Sequence, residues 1–175
     1  IVALSNSSSQ REFIEGELKR LNLKNVRILT KNFASDIELP SDILPLDRVV
    51  SVEMFEHLKN YELVFNRISK WLKKEGKLFV HIFTHKEYSY PFEVEGDGNW
   101  MGRYFFTGGQ MPARNLFSHF QNDLKIEKQW EWDGTHYGKT SEAWLKNMDA
   151  HVQEIKTIFD KTYGTADSAR WVQRW

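Results

Sequence analysis

Glu53, Glu56 and His57 fall within five consecutive residues, Glu53-Met54-Phe55-Glu56-His57. A histidine flanked by carboxylates can take, hold or return a proton near neutral pH, and two neighbouring acids can hold a cation. The residues just before them are strand material. Val49, Val50 and Val52 are β-branched and nearly continuous, the pattern of a strand buried on both faces of a parallel sheet. The acids and the histidine then lie at that strand's carboxyl end, where open α/β sheets bind ligands. A solvated loop could carry the same five residues, and the local sequence leaves both readings open.

The elements that must position them alternate in type. Ile1 to Leu4 reads as a short buried strand, and Ser9 with Glu12 has capping-box spacing for a helix whose stripe is Ile14, Leu18 and Leu21. Val26 to Leu29 is the next strand, and Asp36 to Pro45 a surface connection. After His57, Tyr61, Val64, Phe65, Ile68, Trp71 and Leu72 recur at helical spacing until Lys73-Lys74-Glu75-Gly76, read as a basic last turn with a glycine cap. Lys77 to Phe83 follows as another buried strand. This alternation predicts a doubly wound α/β layer. From His85 to Pro112 the periodicity fails and aromatics, prolines and glycines crowd together, as in a lid or binding loop. Asn115 to Gln121 reads as a short helix, Leu124 to Trp132 as a strand, Thr140 to Tyr163 as a long helix, and Ser168 as the cap of one more.

Composition narrows the function classes. At 175 residues the chain has the size of one domain. Its 24 basic and 24 acidic residues balance, so no broad cationic field favours nucleic acid or anionic lipid. The absence of cysteine removes disulfides, thiolate metal sites and a cysteine nucleophile, and points to a reducing, cytoplasmic setting. No apolar run approaches the roughly 20 residues of a membrane span. His57, His81, His85 and Glu56 are the conceivable zinc ligands, but a spacing of four on a strand does not converge as it does on a helix, so no metal is expected. The chain opens in strand material without an initiator methionine, and we expect a fragment.

Three segments carry a resemblance: Ser51 to Tyr61 (SVEMFEHLKNY), Arg103 to Pro112 (RYFFTGGQMP) and His136 to Leu145 (HYGKTSEAWL). In this order the chain resembles the cyclopropane fatty acid synthase superfamily of S-adenosylmethionine-dependent methyltransferases and, within it, the coclaurine N-methyltransferase branch. The resemblance runs from residue 1 to about 175. It implies a Rossmann-like class I methyltransferase sheet with an aromatic-rich lid insertion. The first strand, its glycine-rich turn and the last strands are missing from this sequence. As one domain truncated at both ends, residues 1–84 would be a partial cofactor-binding core, 85–115 the lid insertion and 116–175 the C-terminal part.

The resemblance also distributes roles. Ser5, Asn6 and Gln10 would hold the ribose and methionine side of the cofactor, Asn32 and Phe33 would flank the adenine, and Val52 would pack beside the adenosyl group. Asn32 stands where related enzymes often have an acid. Glu53, Glu56 and His57 would handle the acceptor, since an aliphatic amine must lose its proton before its lone pair can attack. The cyclopropane-forming branch typically has glycine at the place of Glu53, which sides this sequence with a small, aromatic-containing amine. Glu56, His81 and Tyr137 match residues that hold a bicarbonate base in the cyclopropane-forming members, which keeps methylation of an unsaturated lipid acyl chain as the alternative. Trp100, Tyr104, Phe105, Phe106 and Trp144 would wall the acceptor pocket. Ordinary packing is the competing role for Phe33, His81 and Trp144. The Thr140 to Tyr163 stretch has no clean cationic face for a lipid surface. A non-catalytic binding module is the third reading.

Overall fold

Parallel strands need a crossover between them, and each of the first two strand pairs has a helix to provide it. The computed structural model describes residues 1–175 except Ala34, Asp36 and Asp97. Strand β1 (Val2–Ser5), helix α1 (Ser8–Arg20) and strand β2 (Arg27–Thr30) form the first unit. The strands are parallel and in register from Val2 opposite Arg27 to Ser5 opposite Thr30. Ser7, not Ser9, caps α1: its Oγ accepts the Gln10 amide at 3.2 Å. The helix starts earlier than the Ser9–Glu12 spacing implies because the Ser7 amide is itself held by Ser5 Oγ at 3.2 Å, which closes the turn straight off the strand. Ile14 and Leu18 are half-buried, whereas Leu21, at the end of the same stripe, stays 52% exposed.

The expected connection begins at Asp36, which lies outside the described residues. It sends Ile37 into the core and makes a 3-10 turn at Ser41–Ile43. Strand β3 (Leu46–Val52), helix α2 (Tyr61–Trp71) and strand β4 (Leu72–His81) then form a second strand–helix–strand segment, again parallel. Asn60 caps α2 by accepting the Leu63 amide at 3.0 Å. The helical stripe is realised as far as Trp71: Tyr61, Val64, Phe65, Ile68 and Trp71 are buried with Ile37, Phe55, Leu58 and Leu72 in one cluster. Each such side chain contributes roughly 1.5–3 kcal/mol when fully buried.

Two expectations for this unit are corrected. The helix does not run to a glycine cap at Gly76. Leu72 is already extended and pairs with Leu46, and the following residues bulge out before Lys77 pairs with Arg48. Gly76 serves that bulge, since a Cβ there would stand 2.9 Å from the Lys73 carbonyl oxygen. Nor is β3 buried on both faces. Val49 packs on the α2 cluster with Leu78 and Val80, but Val50 is 67% and Val52 58% exposed, because alternate residues of a strand face opposite sides and only one side meets the helix.

The aromatic stretch after His85 is more ordered than its composition suggests. Strand β5 (Tyr90–Pro91) pairs antiparallel with β6 (Gln110–Met111), and the short helix α3 (Trp100–Tyr104) lies between them in sequence. The short helix expected at Asn115 to Gln121 is a 3-10 turn, Leu116–His119. Residues 124–132 form no strand and pair with none of the described strands. Trp130 and Trp132 are accordingly exposed.

The chain divides into two compact units, Ile1–Glu127 and Lys128–Trp175. The second contains α4 (Thr135–Ala150), α5 (Val152–Tyr163) and α6 (Ser168–Arg174). The single helix expected over 140–163 is broken at His151, whose Nδ1 lies 2.8 Å from the Asn147 carbonyl that also accepts the His151 amide. Ser168 is the first residue inside α6 and Asp167 stands at the capping position. Among the described residues no helix is long and apolar enough to cross a membrane.

Ile68, 1% exposed at the centre of the α2 stripe, tests the core. In the full-length protein Ile68→Ala should cost about 2–5 kcal/mol, read as a lowered denaturant midpoint. A loss below about 1 kcal/mol would mean that the cluster does not carry this unit.

Candidate active site

Strand β3 stops at Val52, and the chain turns at Glu53 with φ +51°. This left-handed backbone costs a residue with a Cβ roughly 1–2 kcal/mol. The turn is held at its backbone, where the Glu53 amide donates to the His81 carbonyl at 2.8 Å and extends the β3–β4 pairing by one step. It is held again at the side chains, where Glu53 Oε1 lies 3.0 Å from His81 Nδ1. A 3-10 turn follows at Phe55–His57, with the His57 amide donating to the Met54 carbonyl and the Leu58 amide to the Phe55 carbonyl, both at 3.0 Å.

That tight turn sorts three side chains. Phe55 is fully buried against Phe65, Tyr61 and Phe117. Glu56 is drawn in with it to 1% exposure, and its Oε2 has no hydrogen-bond partner among the described residues. His57 faces outward, its ring stacked on Phe106 at 5.4 Å and 25°. Burial raises the Glu56 carboxyl to about 7; a backbone hydrogen bond works against the rise and the nearby Glu53 charge adds to it. The result is a carboxyl group that exchanges its proton near neutrality, next to a second carboxylate.

Phe106 ties this corner to the aromatic segment after His85. Its ring lies 5.4 Å from Phe83, 5.2 Å from Phe92 and 4.7 Å from Phe105. Trp100 and Tyr104 pack on each other at 6.2 Å, and Tyr104 and Phe105 are exposed.

A second polar group gathers where β1 and β2 end. Ser5 Oγ donates to Gln10 Oε1 at 2.7 Å, Asn6 is exposed beside it, and Asn32 is exposed just beyond β2. Thr30, opposite Ser5, has a buried Oγ1 with no partner among the described residues. Phe33 packs partly against the core: it meets Trp71 edge-on at 5.8 Å, and its carbonyl accepts from Arg67 Nη1 at 2.8 Å. Val52 is exposed at the tip of β3.

The structure therefore brings Glu53, Glu56, His57 and His81 together with Phe105 and Phe106, and groups Ser5, Asn6 and Gln10. Tyr137 and Trp144 are exposed on α4 in the second unit. Sequence reasoning gave no role to Thr30, Tyr61, Phe83, Phe92 or Gln110. The last stood inside the aromatic motif, yet a lone amide there has no pattern that marks it.

A family model described as mycolic acid cyclopropane synthetase matches residues 1–166. The (S)-coclaurine N-methyltransferase of Thalictrum flavum subsp. glaucum is 39% identical over 161 residues, covering 91% of this chain and 44% of that protein. The (S)-coclaurine N-methyltransferase of Papaver somniferum is 36% identical over 157 residues, covering 89% of this chain and 44% of its own length. A crystal structure of coclaurine N-methyltransferase bound to N-methylheliamine and SAH superposes with a TM-score of 0.86 at 35% identity, covering 98% of this chain and 49% of that one. The chain thus spans about half the length of the curated relatives it matches.

Two stability measurements on the full-length protein follow from the geometry. Glu53→Gly should raise the unfolding free energy by about 1 kcal/mol by relieving the left-handed backbone; a loss of stability would show that the contact with His81 outweighs the strain. Glu56 binds its proton more tightly folded than unfolded, so its contribution is complete below the unfolded carboxyl range and is lost as pH rises through about 7. Glu56→Gln should therefore stabilise the protein at pH 8, by on the order of 1–3 kcal/mol, and leave it unchanged near pH 4. Equal effects at both pH values would show that Glu56 is not proton-linked.

Proposed function

We propose, from the premise that the chain belongs to the mycolic acid cyclopropane synthetase family, that the protein is an S-adenosylmethionine-dependent N-methyltransferase of a small, aromatic-containing amine. The observation that carries the reading is the buried Glu56, its carboxyl raised to about 7, three residues after the Glu53 that meets His81. Such a corner suits a cationic acceptor that must give up a proton.

The polar ends of β1 and β2 fit the cofactor. Ser5, Asn6, Gln10 and Asn32 offer hydroxyl and amide groups of the kind that ribose hydroxyls and a carboxylate require, and the orphaned Thr30 hydroxyl adds an unsatisfied position there. When bound, the cofactor supplies the electrophilic methyl group. Val52, exposed at the tip of β3, gives the adenosyl group an apolar contact.

The chain's own residues then have three tasks. Glu53 and Glu56 hold the ammonium form of the amine by charge. Glu56 and His57 take the proton its nitrogen must lose, leaving the lone pair free to attack in line. Phe105, Phe106, Tyr104 and Trp100 supply aromatic surface for a ring-bearing amine. A cytoplasmic reaction on a small molecule, without nucleic acid, is part of the same proposal. Bicarbonate-assisted methylation of an unsaturated lipid is disfavoured, because Glu53 already lies against His81 Nδ1 and two carboxylates repel an anion.

The full-length protein should transfer label from S-adenosylmethionine to benzylisoquinoline-type amines and leave unsaturated phospholipid vesicles unlabelled. The rate should climb as pH rises through about 7, with Glu56 as the ionising group. Glu56→Gln and His57→Ala should each lower transfer by at least about 100-fold while S-adenosylhomocysteine affinity stays within a few-fold. Label in acid-stable lipid, or loss of cofactor binding in both variants, would overturn the assignment.

A further inference from the structure

The turn that carries Glu56 and His57 is held from outside by one residue of the lid. Gln110, on β6, donates from Nε2 to the Leu58 carbonyl at 2.8 Å and to the Tyr61 hydroxyl at 2.8 Å. The Tyr61 hydroxyl in turn donates to the Phe55 carbonyl at 2.9 Å. Phe55 and Leu58 are the residues on either side of Glu56 and His57. Both of their carbonyls are thereby fixed, one directly and one through Tyr61. Tyr61 is 2% exposed and the amide of Gln110 is part-buried, so water competes poorly for these bonds.

The same strand also sets the lid's aromatic wall. Gly109, next to Gln110, donates its amide to the Phe106 carbonyl at 2.9 Å and accepts from the Phe92 amide at 3.1 Å. The fit between strand and turn is close: a Cβ on Gly109 would stand 3.6 Å from the Glu56 carbonyl oxygen. Phe106 is the ring on which His57 stacks. The position of the wall and the position of the acid–base pair are therefore fixed through one short strand.

We propose that Gln110, acting through Tyr61, is a positioning residue: it locks the Phe55–His57 turn to the lid, so that Glu56 and His57 hold their working geometry only while the lid strand is docked. This rests on the N-methyltransferase reading above. Gln110 touches neither acceptor nor cofactor in this scheme. Its amide is suited to the task because it presents two donors to two acceptors with no charge beside Glu56, whereas a carboxylate would repel the Leu58 carbonyl and a lysine would neutralise the acidic corner.

The test uses Gln110→Leu, Tyr61→Phe and the double variant in the full-length protein. Each is read by steady-state kinetics on a benzylisoquinoline-type amine and by hydrogen exchange of the Glu56, His57 and Leu58 amides. Gln110→Leu should lower kcat at least tenfold, with the KM for S-adenosylmethionine within twofold and Tm within a few degrees. It should speed exchange in the turn and shift the acid limb of the pH profile. The double variant should lose no more than the worse single variant, because both residues act through one chain of bonds. Additive losses, unchanged kcat, or unchanged exchange in the turn would overturn the latch. If the wild-type protein methylates no amine, the functional reading fails, and exchange alone then decides whether Gln110 restrains the turn.

Discussion

The hydrogen bond from the Glu53 amide to the His81 carbonyl is the constraint on which the site depends. It continues the β3–β4 ladder one residue beyond the last strand pair and forces the chain to leave the sheet through a left-handed residue. Everything after it inherits that exit direction. Phe55 drops into the core, Glu56 follows it into a dry environment, and His57 is turned out onto Phe106. A relaxed extended exit would carry the same residues along the strand axis, where alternation would send Glu56 and His57 to opposite faces without burying the acid.

This couples the energetics of the core to the chemistry. Glu56 is raised to about 7 because Phe55, its neighbour, is anchored among the rings of Tyr61, Phe65 and Phe117 and draws the carboxyl out of water. The cost of that burial and the strain at Glu53 are borne by the α2 stripe. Sites of acid–base work commonly lean on surrounding stability in this way.

Much of this was legible in the residues. The α2 stripe from Tyr61 to Trp71, the parallel strands and the acidic corner after Val52 follow from periodicity and from the ligand-binding habit of strand ends. What was illegible is equally specific. Ser7 rather than Ser9 caps α1 because of a contact with Ser5 that no spacing rule contains. Leu72 leaves the helix because Leu46 offers it a strand partner, a tertiary fact that overrides the basic run and the glycine behind it. Residues 124–132 alternate like a strand but pair with none of the described strands. Phe33 looked equally suited to the adenine and to the core, and its contacts with Trp71 and Arg67 could not be read from the sequence. Gln110 is silent in sequence because its partners, Leu58 and Tyr61, are far away along the chain.

That distance also says something about time. Gln110 meets the Leu58 carbonyl across 52 residues and the Tyr61 hydroxyl across 49, whereas Asn60 caps α2 and the Phe55–Leu58 turn closes within three. Closing a long loop costs entropy that local contacts do not, so α2 and its turn can assemble early and the lid strand must arrive late. A nascent chain would thus carry an acidic corner before it carries the strand that disciplines it. The Phe55–His57 turn is fully restrained only once that strand has been synthesised and docked.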